Sequence, residues 1–191
     1  MNILKSLSVL AAVGALAACE PVNGNGDFVI PASAMEELRD ATPAQMVPRL
    51  SASQLTSAFQ QYCGKNIGNP AATERALRAN GFILLGTMSG DGIKMFVTKD
   101  SRPMIGVGRE AGGPALCMTI TQAGGDYGTA LDRYVKSRHG NSVQRLQDIN
   151  LGTETAENIW VTADNPPLIY LTIREQDATL GELYGFAVGK E

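Results

Sequence analysis

Histidine occurs once in this chain, at position 139, tryptophan once, at 160, and cysteine three times, at 19, 63 and 117. A closed zinc site draws four nitrogen, sulfur or carboxylate ligands, so this set leaves almost nothing to build one from, and no metal is expected. His139 falls at the end of a helical stretch, where a cation is favoured by the helix dipole by some tenths of a kcal/mol. That role asks for no catalysis. Basic runs are missing too. The formal net charge is −3, and no Lys/Arg cluster overrides it, which argues against a nucleic-acid partner. No apolar run approaches the roughly 20 residues that span a bilayer as a helix.

Motifs that carry chemistry are equally scarce. Gly86-Thr87-Met88-Ser89-Gly90 places its serine one position too late for a nucleophile elbow, and a second strand rather than a helix is expected after it. No serine beyond the leader is followed by lysine three residues on. Gly106-Val107-Gly108 lacks the third glycine and the helix of a dinucleotide loop. Asp91, Asp100 and Asp126 are spread over separate turns, without the spacing of a calcium loop. Glu154 and Glu157 could act as a general acid–base pair, but nothing distinguishes them from solvated charges. The expectation is therefore a non-catalytic protein without a cofactor.

What is present begins at the start. Met1–Cys19 reads MNILKSLSVLAAVGALAAC, with Lys5 as a short positive region and Leu7–Ala15 as an apolar run of secretory-signal length. It ends in Leu16-Ala17-Ala18-Cys19, which resembles the lipobox of bacterial lipoproteins. That resemblance implies cleavage after residue 18 and diacylglycerol on the Cys19 thiol, making the membrane a partner through the acylated cysteine. Glu20, rather than aspartate, follows the cysteine, which by resemblance to the enterobacterial sorting rule implies the outer membrane, facing the periplasm. Ala15-Leu16-Ala17 also satisfies an ordinary A-x-A site, and cleavage there would leave Cys19 as a free thiol.

Cysteine arithmetic favours the lipid. Three cysteines in an exported chain leave one over; with Cys19 acylated, Cys63 and Cys117 form a pair suited to an oxidising compartment. The alternative is two buried free thiols. The leader carries one lysine and no acid, so the mature charge moves from −3 to near −4.

Residues 19–50 read as a tether with some local structure. Pro21, Asn23, Gly24 and Gly26 supply turn chemistry, and the segment would reach about 30 Å on average if flexible. Within it, Ser33-x-x-Glu36 has capping-box spacing for a short helix to Asp40, interrupted by Pro43 and Pro48. The folded domain, 51–191, is expected to start at a second box, Ser51-x-x-Gln54. Leu55, Ala58, Phe59, Tyr62 and Cys63 then mark one helical face up to Gly64. Asn69-Pro70 opens a second helix that stops at Gly81. Four strands follow at 82–89, 93–98, 103–107 and 115–122, the last carrying Cys117. Asp126 caps a third helix closed by Gly140. Residues 143–151 stay open between loop and strand, and 158–162, 168–174 and 182–188 complete the strands. The order ααββββαβββ predicts an α+β domain with an antiparallel sheet of six to seven strands and helices packed on one face.

Two stretches are candidates for binding. Gly106–Pro114 is a glycine-rich connection that exposes Arg109 and Glu110, and such loops contact ligands or partners. Trp160 alternates with Ile159 and Val161, so it either lies under the helices as core or stands exposed as a binding anchor. The resulting expectation is an envelope lipoprotein whose periplasmic domain serves an unknown envelope protein or assembly. The alternatives are a small-molecule or lipid carrier using the gap between sheet and helices, and an inhibitor of an envelope hydrolase inserting Ser89-Gly90-Asp91-Gly92. In the latter the chain distantly resembles the lysozyme inhibitors, though it is longer.

Overall fold

The computed structural model describes residues 28–88, 92–109, 113–146 and 156–190. The lipobox with Cys19, the expected turn Ser89-Gly90-Asp91, Glu110, and the stretch 147–155 with Glu154 lie outside the described residues.

Strand β1, Phe28–Val29, is followed by helices α1, Ala32–Leu38, and α2, Pro43–Met46. Helix α3, Ala52–Phe59, runs into a π-helical turn, Gln60–Gly64, and α4 spans Pro70–Ala79. Strands β2 (Ile83–Met88), β3 (Lys94–Val97), β4 (Met104–Arg109) and β5 (Ala115–Gln122) come next, then α5, Tyr127–His139. The chain closes with β6 (Val143–Leu146), β7 (Ala156–Thr162), β8 (Leu168–Asp177) and β9 (Gly181–Lys190).

All strands belong to one antiparallel sheet in the order β1-β2-β3-β4-β5-β9-β8-β7-β6. The α+β class is therefore as expected, but eight strands and a two-residue ninth replace the six to seven counted in the sequence. One gain is β6, from the stretch left open between loop and strand. The other is β1, too short for any periodicity to reveal.

Local signals fixed the helix ends well where a cap was involved. The Ser51 hydroxyl accepts from the Gln54 amide at 3.3 Å, and Gln54 Oε1 accepts from the Ser51 amide at 2.9 Å, a complete capping box. Asn69 and Asp126 cap α4 and α5. Gly81 and Gly140 end these helices at φ of 76° and 57°, a conformation that favours glycine. The Ser33 box does not form. Helix α1 starts at Ala32, behind Pro31, so Ser33 sits inside the first turn. Pro43 is a start rather than an interruption: at the first position of α2 its missing N–H costs nothing, and Thr42 and Gln45 close their own capping box.

Residues 28–50, expected as tether, pack onto the sheet. Ala34, Leu38, Met46 and Val47 are buried in a layer with Leu85, Met95, Met118 and Ile173. The chain then passes round β5 on a set of hydrogen bonds. The Gln122 amide and the Thr121 hydroxyl donate to Pro48 O at 3.1 and 2.6 Å, and Tyr127 Oη donates to Leu50 O at 2.7 Å. From there α3, α4 and α5 cover the opposite face. The expected one-sided packing is thus corrected: the three longer helices share one face, and α1 and α2 lie on the other.

Between α3–α5 and the sheet the space is filled. Phe59, Tyr127, Trp160, Tyr170 and Phe186 are all under 2 % exposed. Phe59 meets Tyr134 edge-on at 5.4 Å and Phe186 at 6.0 Å. The Cys63–Cys117 disulfide ties the π-helical turn after α3 to β5. The loop it closes is worth about 4 kcal/mol in the chain-entropy account.

Candidate functional site

The aromatic layer ends in a cleft of about 350 Å³ where the first turn of α5 faces β6–β9. On the helix side Asp126 accepts from the Thr129 amide at 3.1 Å; the hydrogen bonds from Thr129 hold its carboxyl below the usual range. Tyr127 is buried and anchored on Leu50 O, its ring 4.7 Å from that of Tyr184. Gly128 follows, and its missing side chain matters. A Cβ there would stand 3.4 Å from Asn158 Nδ2 and 3.6 Å from the Tyr184 hydroxyl, occupying cleft space without a clash.

The sheet side owes its polar lining to a β-bulge. Ala156 pairs with Ile173 and Asn158 with Thr172, so Glu157 is an extra residue in β7. Strict alternation would turn Glu157 away from Trp160. The bulge instead brings Glu157 and Asn158 to the same face, a common way of re-aiming a side chain. Glu157 Oε1 forms an ion pair with Arg174 Nε at 2.7 Å, and Arg174 Nη1 donates to Glu182 Oε1 at 3.0 Å. Asn158 Nδ2 donates to Thr172 Oγ1 at 2.9 Å, while its Oδ1 accepts from Arg145 Nη2. The Arg145 guanidinium lies 5.5 Å from the Trp160 ring centroid and that of Arg174 the same distance from Tyr184. Both are cation–π contacts that hold the guanidinium groups beside the aromatic rings.

Asp132 completes the site one turn down α5. Its Oδ1 accepts from Trp160 Nε1 at 2.9 Å and its Oδ2 faces Lys136 Nζ at 2.8 Å. Burial pushes this carboxyl up, but the bonds from Lys136 and Trp160 and the Lys136 and Arg145 charges outweigh it, so Asp132 stays ionised at neutral pH. Tyr184 is pushed up to about 12, chiefly by burial, and remains a neutral hydroxyl.

The residues singled out in the sequence do not assemble here. Arg109 is exposed at the end of β4 and donates to Gly113 O at 3.0 Å, closing its own loop. Three strands separate β4 from β7 in the sheet. Trp160 is 1 % exposed, which makes it core rather than a surface anchor; it meets the site through its indole N–H on Asp132 and its ring under Arg145. His139 does end α5, but burial lowers its pKa, and its Nε2 pairs with the Tyr170 hydroxyl at 2.9 Å. It steadies the aromatic layer instead of acting as a helix-end cation.

Arg145, Asn158 and Arg174 were not anticipated, yet strand parity contained part of the signal. Asn158 shares parity with Trp160, and Arg174 with Tyr170 and Thr172, so polar groups continue an otherwise apolar face. Among the described residues no group of three acidic, histidine or cysteine side chains converges to hold a metal. Comparison with protein-family models, curated proteins and solved structures finds no match.

Proposed function

We propose that the chain is a lipoprotein of the cell envelope, anchored through acylated Cys19 and directed to the outer membrane, whose domain is a non-catalytic binding module for an envelope protein or assembly. The observation that carries this reading is the filled interior. Phe59, Trp160, Tyr170 and Phe186 occupy the gap between α3–α5 and the sheet that a carrier of the expected kind would keep open for its cargo. Recognition then falls to the surface, where proteins expose what they offer to partners. The Cys63–Cys117 disulfide suits an oxidising compartment, and so supports export. No helix among the described residues is long and apolar enough to cross a membrane, which leaves attachment in this reading to the lipid.

Chemical crosslinking of intact envelopes, followed by pull-down of the full-length protein, tests the proposal. A discrete partner recovered repeatedly is the expected outcome. Recovery of the chain alone, at crosslinker levels that capture known envelope complexes, would remove it. Globomycin sensitivity and intact mass test the anchor separately: a mature mass without acyl chains contradicts it.

A further inference from the structure

His139 is the single histidine of the chain, and it stands on a boundary between core and solvent. It occupies the last position of α5, with its side chain 12 % exposed. Inward, its Nε2 meets the Tyr170 hydroxyl at 2.9 Å. Outward, its Nδ1 lies 3.7 Å from Asp164 Oδ2, on the turn between β7 and β8, a carboxylate that is 53 % exposed. Tyr170 is 0 % exposed, and burial keeps its hydroxyl protonated. Among the described residues that O–H meets no acceptor but His139. The neutral imidazole therefore accepts at Nε2 and carries its proton on Nδ1, toward Asp164.

A second proton undoes this arrangement. With both ring nitrogens donating, Nε2–H and the Tyr170 O–H point at each other. Tyr170 can accept only by turning its hydrogen away, and a buried donor without a partner is costly. The neighbouring Tyr134 hydroxyl is out of reach, being itself buried and unpartnered. Outward the balance reverses, because Asp164, water and the last carbonyls of α5 all favour a cation. Burial holds the imidazole below its ordinary 6.5; the Asp164 charge pulls the other way, and the Arg138 charge adds to the lowering. We propose that His139 is an acid-operated pin, whose protonation withdraws the imidazole from Tyr170 to Asp164 and unfastens the C-terminal end of α5 from β8. Gly140 supplies the slack, following at φ 57° with nothing within 4 Å of where a side chain would stand. The same helix carries Asp126 and Asp132 of the cleft, which gives a loosened α5 a consequence at the candidate site. Stability from the pin is complete above 6.5 and is lost as pH falls from there through the lower folded value.

The full mature protein in detergent, isotope-labelled in histidine and free of any histidine tag, shows one imidazole by NMR. The Nδ1–H tautomer is expected at about pH 8, with a protonation midpoint below 6.5. Asp164→Asn removes the outward partner and should lower that midpoint further. Tyr170→Phe removes the donor that holds Nε2 and should raise it. Amide exchange of residues 134–139 is then compared between wild type and His139→Gln, whose side-chain oxygen can accept from Tyr170 but takes no proton. Taking both at the same pH cancels the intrinsic exchange rate and the titration of Glu175, which the two share. The ratio of wild-type to variant exchange should rise at least about tenfold between about pH 8 and about pH 5. A histidine with a purely structural role would leave that ratio constant. A midpoint at or above 6.5, midpoints that do not move in the stated directions, or a constant ratio overturns the proposal. Should His139→Gln fail to fold, the midpoints of wild type and the other two variants decide alone. Crosslinking to an envelope protein can succeed or fail independently of this result.

Discussion

On one face of the sheet lies every buried aromatic side chain of the described residues, on the other every buried methionine. The aromatic face, under α3–α5, is tied down at several points. Tyr127 is bonded to Leu50, Trp160 to Asp132 and Tyr170 to His139, and the disulfide joins the helical layer to β5. Rings pack edge to face and carry polar handles that must find partners, so this layer has few alternative arrangements. The other face holds Met46, Met88, Met95, Met104 and Met118 among aliphatic side chains, covered in part by two short helices. Methionine is unbranched and adaptable, and fills irregular gaps without fixing them. The cleft stands where the rigid layer runs out, its donors and acceptors held by the bonds that hold the rings.

Core truncation should expose this difference most strongly. Phe59→Ala, at 0 % exposure and in contact with Tyr134, Tyr170 and Phe186, is expected to lose about 4–5 kcal/mol in denaturant unfolding. Met95→Leu on the opposite face should lose less than about 1.5 kcal/mol. Equal sensitivity of the two faces to volume-conserving swaps, tested with Tyr184→Phe against Met118→Leu, would dissolve the distinction. Next in size is the staple: replacing Cys63 and Cys117 together by serine should cost about 3–4 kcal/mol, read as a lower Tm. Thiol titration of the unfolded protein, equal with and without reductant, would refute the bond itself.

A smaller effect tests the polar handles. Tyr170→Phe keeps the ring and removes only the bond to His139, so a loss of about 1 kcal/mol is expected. A neutral result would mean that ring packing alone holds the layer.

The last contrast is in pH. Glu175 lies on β8 with the parity of Ile173, toward the methionine face, and its buried Oε2 has no hydrogen-bond partner among the described residues. Burial, with the Asp177 charge beside it, raises its pKa to about 7. Between the ordinary 4.5 and about 7 the folded state therefore holds more proton than the unfolded chain, and stability falls as pH rises through that window. Glu175→Gln should flatten this slope and leave the protein more stable than wild type above about pH 7. Denaturation midpoints at about pH 5 and about pH 8 measure it; an unchanged slope would place its cause elsewhere.

Much of this architecture could be read in the sequence where a short-range rule decides it. Ser51–Gln54, Asn69-Pro70, Asp126 and Gly140 mark helix ends through bonds made within a few residues. The Cys63–Cys117 pairing followed from the count of thiols. Strand parity set Trp160 on the face opposite Ile159 and Val161. Residues 28–50 look like tether in the sequence because Pro31, Pro43 and Pro48 break up their periodicity. Ala34, Leu38, Met46 and Val47 are buried by a sheet that is far away in sequence, and no local pattern announces that. The cleft escaped for a related reason. Its bulge at Glu157 breaks the very alternation from which faces are inferred, and Arg145 came from a stretch too polar to separate loop from strand. Long-range pairing, not propensity, brings these groups together.

Native mass spectrometry of the gently purified mature protein tests the central claim most directly, that the space between α3–α5 and the sheet is filled by the chain's own rings and recognition lies outside it. The expected mass is that of the polypeptide from Cys19 with its acyl chains and no apolar guest retained. A stoichiometric lipid or other apolar molecule, carried through purification and released only on unfolding, would contradict it.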